Sequence, residues 1–350
     1  MLGTAVGDAI GLPCEGISRR RVRRMWPSPL SGRLRHCLLF GRGMVSDDTE
    51  HTFMVAQSLL DESNDAGRFA KKLAWRLRWW LLRLPAGVGM ATARACLKLW
   101  CGFSPRHSGV FSAGNGAAMR AAIFGGVFPD AKQRAAFVAA STRLTHTDPK
   151  ALTGALAVAD IVALMMRQSP GKPALPDVLR VLREPGSGYI PPPDAEWLER
   201  VEQMETAWRA GLSVTDFADR MGCAKGVGGY VYHTAPVAMY AWMQHFGDFR
   251  AAVESVVECG GDTDTVAAIV GALAGANGAG GIPSDWITGI FDAPINPSRL
   301  RDVAERLTQL VVTGQSPGHA ASGWLLTLPR NLFFLGVVLC HGFRRLLPPY

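Results

Sequence analysis

The chain has 350 residues, with 37 lysines and arginines against 29 aspartates and glutamates, for a formal net charge of +8. Hydrophobic residues make up 48% and charged residues only 19%, which excludes a disordered or fibrous protein and leaves a globular chain able to bury one large core. Seven cysteines, Cys14, Cys37, Cys96, Cys101, Cys223, Cys259 and Cys340, occur singly. Their spacing suits neither zinc nor a disulfide framework, and it points to a reducing, cytoplasmic setting.

Residues 1–12 lack the basic start and cleavage pattern of a secretory signal. Residues 1–17 read as a small-residue helix broken near Gly11 and Pro13. A basic loop is expected next, carrying Arg19, Arg20, Arg21, Arg23 and Arg24. Asp47 and Glu50 have the spacing of a capping box ahead of the run Phe53-Met54-Val55-Ala56-Gln57-Ser58-Leu59-Leu60, so a helix begins there. Residues 69–84 set Leu73, Trp75, Leu77, Trp79 and Trp80 among lysines and arginines, the pattern of an amphipathic helix. Such basic stretches attract phosphates or acidic proteins, or form solvated helix faces. No nucleic-acid module is recognised, so nucleic acid is not the expected partner.

Residues 102–116 read as a loop, and 131–144 and 149–167 as helices, the second opened by Asp148-Pro149. Residues 185–193 are rich in Gly and Pro and read as irregular. A glycine turn at Gly260-Gly261 feeds a helix whose small residues allow it to lie deep in a bundle. With β-branched runs short and apolar residues at helical spacing, the fold class is all-α. Residues 1–313 form one domain and 314–350 an apolar and basic extension. Within the extension, Leu332 to Cys340 is apolar but interrupted by Pro329 and Arg330, too short for a bilayer that needs about 20 residues. It reads as a helix packed on this protein or a partner, with interfacial membrane contact as the less favoured alternative.

Two acidic clusters carry the chemistry. Ser46-Asp47-Asp48 and Asp262-Thr263-Asp264-Thr265 each place two carboxylates and a hydroxyl at a helix start. Hard divalent cations bind such oxygens, usually from more than one part of a chain. If the two starts face each other, like charges crowd unless cations offset them. Taken singly, either cluster is more often an N-cap than a ligand set; taken together with the motifs that follow, they favour ligands. Gly114-Asn115-Gly116-Ala117-Ala118-Met119-Arg120 opens an alanine-rich helix and offers backbone N–H groups to a diphosphate, or is a plain turn. His146 precedes a helix and is a ligand contact or a structural histidine. Glu15 follows a chain breaker, free to reach a cleft or to stay on the surface. Asp8 is a support for the metal shell or a turn cap.

The order and combination of these elements resembles the ADP-ribosylglycohydrolase family: Gly3 to Gly11 leading to Glu15, Ser46-Asp47-Asp48-Thr49, the Gly114 to Arg120 turn, Thr145-His146, and Gly260-Gly261-Asp262-Thr263-Asp264-Thr265. The resemblance implies a compact multi-helix bundle whose central cleft holds two magnesium or manganese ions, with Ser46, Asp47, Asp48, Asp262, Asp264 and Thr265 as ligands. It implies Ser112, Gly114, Asn115, Gly116, Met119 and His146 around the ADP-ribose, and Glu15, Asp47 and Asp264 in catalysis, with a metal-associated water attacking the anomeric carbon. Ser46 stands where the family usually has threonine, which preserves a hydroxyl.

The implied activity is release of ADP-ribose from N- or O-glycosidic linkages in ADP-ribosylated protein or a small-molecule conjugate. Arginine linkage is favoured by analogy with bacterial members. Two other functions stay open, a metal-dependent hydrolase of a free ADP-ribose derivative or other nucleotide conjugate, and a noncatalytic ADP-ribose-binding or structural member. The full set of crowded carboxylates argues against the last.

Overall fold

A computed structural model of the chain describes residues 1–350 apart from 27–28, 168–170, 277, 279–280, 321–322 and 347–350. It is all-α. The first half contains α1 (Leu2–Gly11), α2 (Arg19–Met25), α3 (Asp47–Asp61), α4 (Ala66–Leu81), α5 (Met90–Trp100), α6 (Ala122–Val127), α7 (Ala131–Arg143) and α8 (Pro149–Arg167). The second contains α9 (Leu175–Arg183), α10 (Ala195–Arg209), α11 (Val214–Arg220), α12 (Val231–Gln244), α13 (Phe249–Cys259), α14 (Thr263–Gly275), α15 (Ser284–Gly289), α16 (Pro297–Thr313) and α17 (Trp324–Arg344). Among the described residues the one sheet is a two-residue antiparallel pair, β1 (Ile17–Ser18) with β2 (Gly260–Gly261).

The centre of the molecule is assembled on glycine. Gly3, Gly7 and Gly11 fall every fourth residue along one face of α1, and a Cβ at any of them would collide with a backbone carbonyl oxygen of α14, at Gly271, Ala267 or Thr263. Their absence lets two helix backbones meet directly, with Thr263 Oγ1 donating to the Gly11 carbonyl at 2.8 Å. Every residue of α14 from Thr263 to Leu273 is buried, as its small side chains predict. α3, α8 and α12 surround this pair with largely buried faces.

Three local expectations are corrected. The arginine run is the helix α2, because Val22 anchors it in the core and Arg19 turns inward to pair with Asp219 at 2.5 Å. The cap of α3 is Ser46, whose Oγ accepts from Asp48 N at 3.3 Å, and no capping box forms. Glu50 instead faces outward from the site, taking Trp80 Nε1 and, at 2.8 Å, Arg330 Nη1. Finally, Pro329 and Arg330 do not interrupt the C-terminal helix. α17 runs through both, with Pro329 inside it at the cost of one intrahelical hydrogen bond. Among the described residues two helices are long and apolar enough to cross a membrane, Pro149–Arg167, 67% buried in the fold, and Leu325–Arg344, only 22% buried. Residues 321–322 and 347–350 of the extension lie outside the described residues.

Candidate active site

The strand pair and the glycine seam bring the two acidic clusters together. Gly16 N donates to Gly261 O at 2.7 Å, so the turn carrying Glu15 is tied to the residue that precedes Asp262. Gly260 and Gly261 adopt φ of +71° and +92°, and a side chain on Gly261 would strike the Val227 backbone. From the other side, Asp8 on α1 receives Ser46 N at 2.9 Å, Thr49 N at 3.2 Å and the Thr49 hydroxyl. Asp8 thus caps the start of α3 across a helix interface. Asp48 then joins the clusters, because its Oδ2 accepts from Ser46 Oγ at 3.1 Å and from Thr265 Oγ1 at 3.2 Å.

These residues border a cleft of about 330 Å³. Glu15, Asp47, Asp262, Asp264 and Thr265 form one wall, and Ser112, Gly114, Asn115, Gly116, Met119 and His146 form the other. Ser46 and Asp48 are buried behind the acidic wall. Asp262 occupies the N-cap position of α14 but makes no capping bond. Its Oδ2 accepts instead from Asn115 Nδ2 at 2.8 Å, which links the second acidic cluster to the glycine turn. A simple cap would have spent its carboxylate on the helix.

Burial raises the Asp47, Asp48 and Asp264 carboxyls well above the usual carboxylate range, and their acidic neighbours push in the same direction. Glu15 is raised by burial and by Asp262, with the Arg345 guanidinium pulling against both. Two carboxylate oxygens, Asp48 Oδ1 and Asp264 Oδ1, are buried without a hydrogen-bond partner. An orphaned buried oxygen is costly unless something positive meets it.

The glycine turn is a 3-10 helix, Asn115–Arg120, rather than the start of an α-helix. Two of its N–H groups are already used, Gly114 N on Ser112 Oγ at 3.3 Å and Asn115 N on Gly229 O at 2.9 Å. In such a helix the first bond runs from Ala117 N to Gly114 O, which leaves the Gly116 N–H as the first-turn donor without an intrahelical partner. Arg120, buried beneath, binds Gly116 O at 2.9 Å, Thr145 Oγ1 at 2.8 Å and Ser141 O at 2.9 Å. His146 Nδ1 sits 2.8 Å from Thr145 Oγ1, and a side chain on Gly116 would press on its ring. Burial, aided by Arg120, lowers the His146 pKa to about 3, so the imidazole is neutral.

All the residues singled out from sequence therefore lie in or directly behind one cleft. Gly87, Gly89, Met90, Thr92 and Gly229 also line it and were not singled out. Their only signal is the pair of glycines in Gly87-Val88-Gly89, since a short turn carries no charge to mark it.

The donor set fits divalent cations in chemistry, with four carboxylates and two hydroxyls, all hard oxygens. The two orphaned oxygens fit them in electrostatics. No group of three or more His, Cys, Asp or Glu among the described residues is already arranged to hold a metal ion. Asp48 and Asp262 are engaged by hydroxyl and amide donors, and holding a cation requires them to exchange those partners.

The helical fold, with acidic side chains and a glycine turn lining one cleft, is that of an ADP-ribosylglycohydrolase-related protein. A profile of the ADP-ribosylglycohydrolase family matches residues 1–317, and the chain belongs to that family. It is an enzyme of the ADP-ribosylglycohydrolase class, a hydrolase of ADP-ribose linkages. Relatives include a protein of uncharacterised function from Archaeoglobus fulgidus, 29% identical over 89% of this chain and 95% of that one. ADP-ribosylhydrolase ARH3 of Gallus gallus is 25% identical over 82% and 86% of the two chains. The ADP-ribosyl-[dinitrogen reductase] glycohydrolase of Rhodospirillum rubrum is 25% identical over 82% and 87%. A solved ADP-ribosylglycohydrolase-related protein complex superposes with a TM-score of 0.62 at 25% identity, over 89% of this chain and 95% of that one.

Proposed function

We propose that the chain removes ADP-ribose from ADP-ribosylated protein in a reaction that depends on two magnesium or manganese ions, with the arginine linkage as the favoured substrate. The observation that carries the metal requirement is Asp48, a buried carboxylate accepting a hydroxyl from each cluster while its second oxygen and that of Asp264 stay unpaired. A relative whose name specifies dinitrogen reductase as its ADP-ribosylated target supports a protein substrate. Arginine linkage rests on family analogy alone. All seven cysteines are free thiols, which supports a reducing, cytoplasmic setting.

Ser46, Asp47, Asp48, Asp262, Asp264 and Thr265 would hold the ions, which when bound offset the crowded carboxylates and polarise sugar hydroxyls and water. Asp47 and Asp264, on the cleft wall, orient the ribose at the reacting end. The Gly116 N–H meets the diphosphate, and neutral His146 packs beneath the turn that presents it. Hydrolysis breaks the C–N or C–O bond at the anomeric carbon of the terminal ribose (C1″), leaving the water oxygen on that carbon and a proton on the departing atom. The Glu15 carboxyl, on the lip beside Asp262, is placed to carry that proton.

The test is release of free ADP-ribose, followed by mass detection, from arginine-linked, serine-linked and small-molecule conjugates with magnesium, manganese or a chelator present. Release from arginine-linked protein is expected, abolished by chelator and by Asp262→Ala or Asp47→Ala in a chain that still melts cooperatively. Full activity in chelator would remove the metal requirement. Activity confined to a free ADP-ribose derivative would replace the protein substrate.

A further inference from the structure

We propose that the outward face of α17 docks the chain on the surface of an anionic lipid bilayer. The helix is built with its polarity reversed. Three of its polar residues point into the protein: Arg330 pairs with Glu50 at 2.8 Å and Asp292 at 2.6 Å, Asn331 Nδ2 donates to Arg83 O at 2.8 Å, and His341 Nε2 lies 3.1 Å from Pro13 O. Its solvent side presents Leu325, Leu328, Leu332, Leu335, Leu339 and Phe343, exposed by 38% to 70%. Mean hydropathy across the helix is 1.4. Each such side chain gains about 1.5–3 kcal/mol when fully withdrawn from water, so a row of six calls for a cover.

The surroundings say what the cover is. Leu38, Leu39 and Met44 pack on Phe334, Val337 and Val338, which sets the fully exposed Phe40 beside α17. On the other flank, exposed Trp75 and Trp79 share the lining of a cavity of about 370 Å³ with Lys72, Thr327 and Arg330. The three stretches that supply these side chains, residues 16–46, 66–129 and 306–350, contain no aspartate or glutamate, while Lys71, Lys72 and Arg344 are exposed within them. The acidic residues that line the same cavity, Glu50, Asp61 and Asp292, are paired with Arg330 and Arg76, so a second copy of the chain would bring two net basic surfaces into contact, which like-charge repulsion opposes. An anionic bilayer matches both features, with hydrocarbon for the leucines, headgroups for the lysines and arginines, and an interface suited to tryptophan. The buried ion pairs of Arg330 hold α17 flat on the fold, so the helix lies in the interface and does not cross it.

Docking there reaches the active site. Arg345, just past α17, donates to the backbone carbonyls of Glu15 at 2.7 Å and Pro13 at 3.0 Å. At the other end Arg330 donates to Val45 O, next to Ser46. The lipid-facing helix therefore braces the acidic wall of the cleft at two points.

The experiment is co-sedimentation of the full chain with phosphatidylcholine vesicles and with phosphatidylcholine–phosphatidylglycerol vesicles, at low and high salt. Partition is expected to be about tenfold or more stronger on the anionic vesicles and to weaken with salt. Leu332→Asp with Phe333→Asp should abolish it while the melting temperature stays unchanged. Lys72→Glu with Arg344→Glu should remove the preference for anionic lipid through charge alone. Equal partition on both vesicles, or none, overturns the proposal. So does a dimer seen by light scattering without lipid that the Leu332→Asp, Phe333→Asp variant dissociates, which would assign the face to a second copy.

Discussion

α14 and α17 are both rich in apolar residues and end up in opposite places. α14 uses alanine, glycine and valine and is buried along its length, while α17 uses leucine and phenylalanine and leaves most of them outside. Hydropathy alone does not separate the two helices. Side-chain size and the position of the polar residues do: small residues let α14 approach α1 backbone to backbone, whereas the inward Arg330, Asn331 and His341 fix α17 by hydrogen bonds and turn its bulk outward. The active site depends on the first arrangement, because only that close approach sets Asp264 and Thr265 against Asp48.

The contrast can be broken at its tightest point first. Gly7→Val drives two methyl groups into the α14 backbone at Ala267, which cannot retreat, and should cost more than about 4 kcal/mol or prevent folding. Urea unfolding measures it, and a loss under 1 kcal/mol would mean that the seam is slack. Arg330→Met in α17 leaves Glu50 and Asp292 buried without their partner, and about 3 kcal/mol of stability should go in the same assay. The next effect is one of pH. The folded pKa of His146 is about 3 against an ordinary 6.5, so the folded state holds it neutral, and the stability this gives is present above pH 6.5 and lost as pH falls. Between pH 6.5 and pH 5 the wild type should lose about 2 kcal/mol more than His146→Gln. Identical acid limbs would mean that the ring is open to protons. Smallest of all, Leu332→Ser on the outward face of α17 should shift stability by no more than about 0.5 kcal/mol without lipid. A large loss there would mean that the face is already covered.

Much of the site was legible because its residues combine charge with local spacing. Ser46-Asp47-Asp48 and Asp262 to Thr265 stand at helix starts, the Gly114 to Arg120 turn announces itself by glycine, and all of them meet in one cleft. What was not legible is pairing at a distance. The four-residue spacing of Gly3, Gly7 and Gly11 reads only as a small-residue helix until Gly271, Ala267 and Thr263 are opposite. Glu50 has the spacing of a capping partner, yet a tryptophan on α4 and an arginine on α17 claim it. The arginines of α2 look like a loop because nothing local shows that Val22 and Arg19 find buried positions. Pro329 looks like a stop because nothing local shows that Arg330, Asn331 and His341 find distant partners that hold the helix through it.

The central claim, that two distant clusters form one cation site, is tested most directly by calorimetric titration of manganese into the wild type, Asp47→Ala and Asp262→Ala. Two ions should bind the wild type, and either substitution should weaken both ions by about tenfold or more, since each cluster completes the other. A variant that keeps one ion at full affinity, or a wild type that binds none, would contradict the shared site.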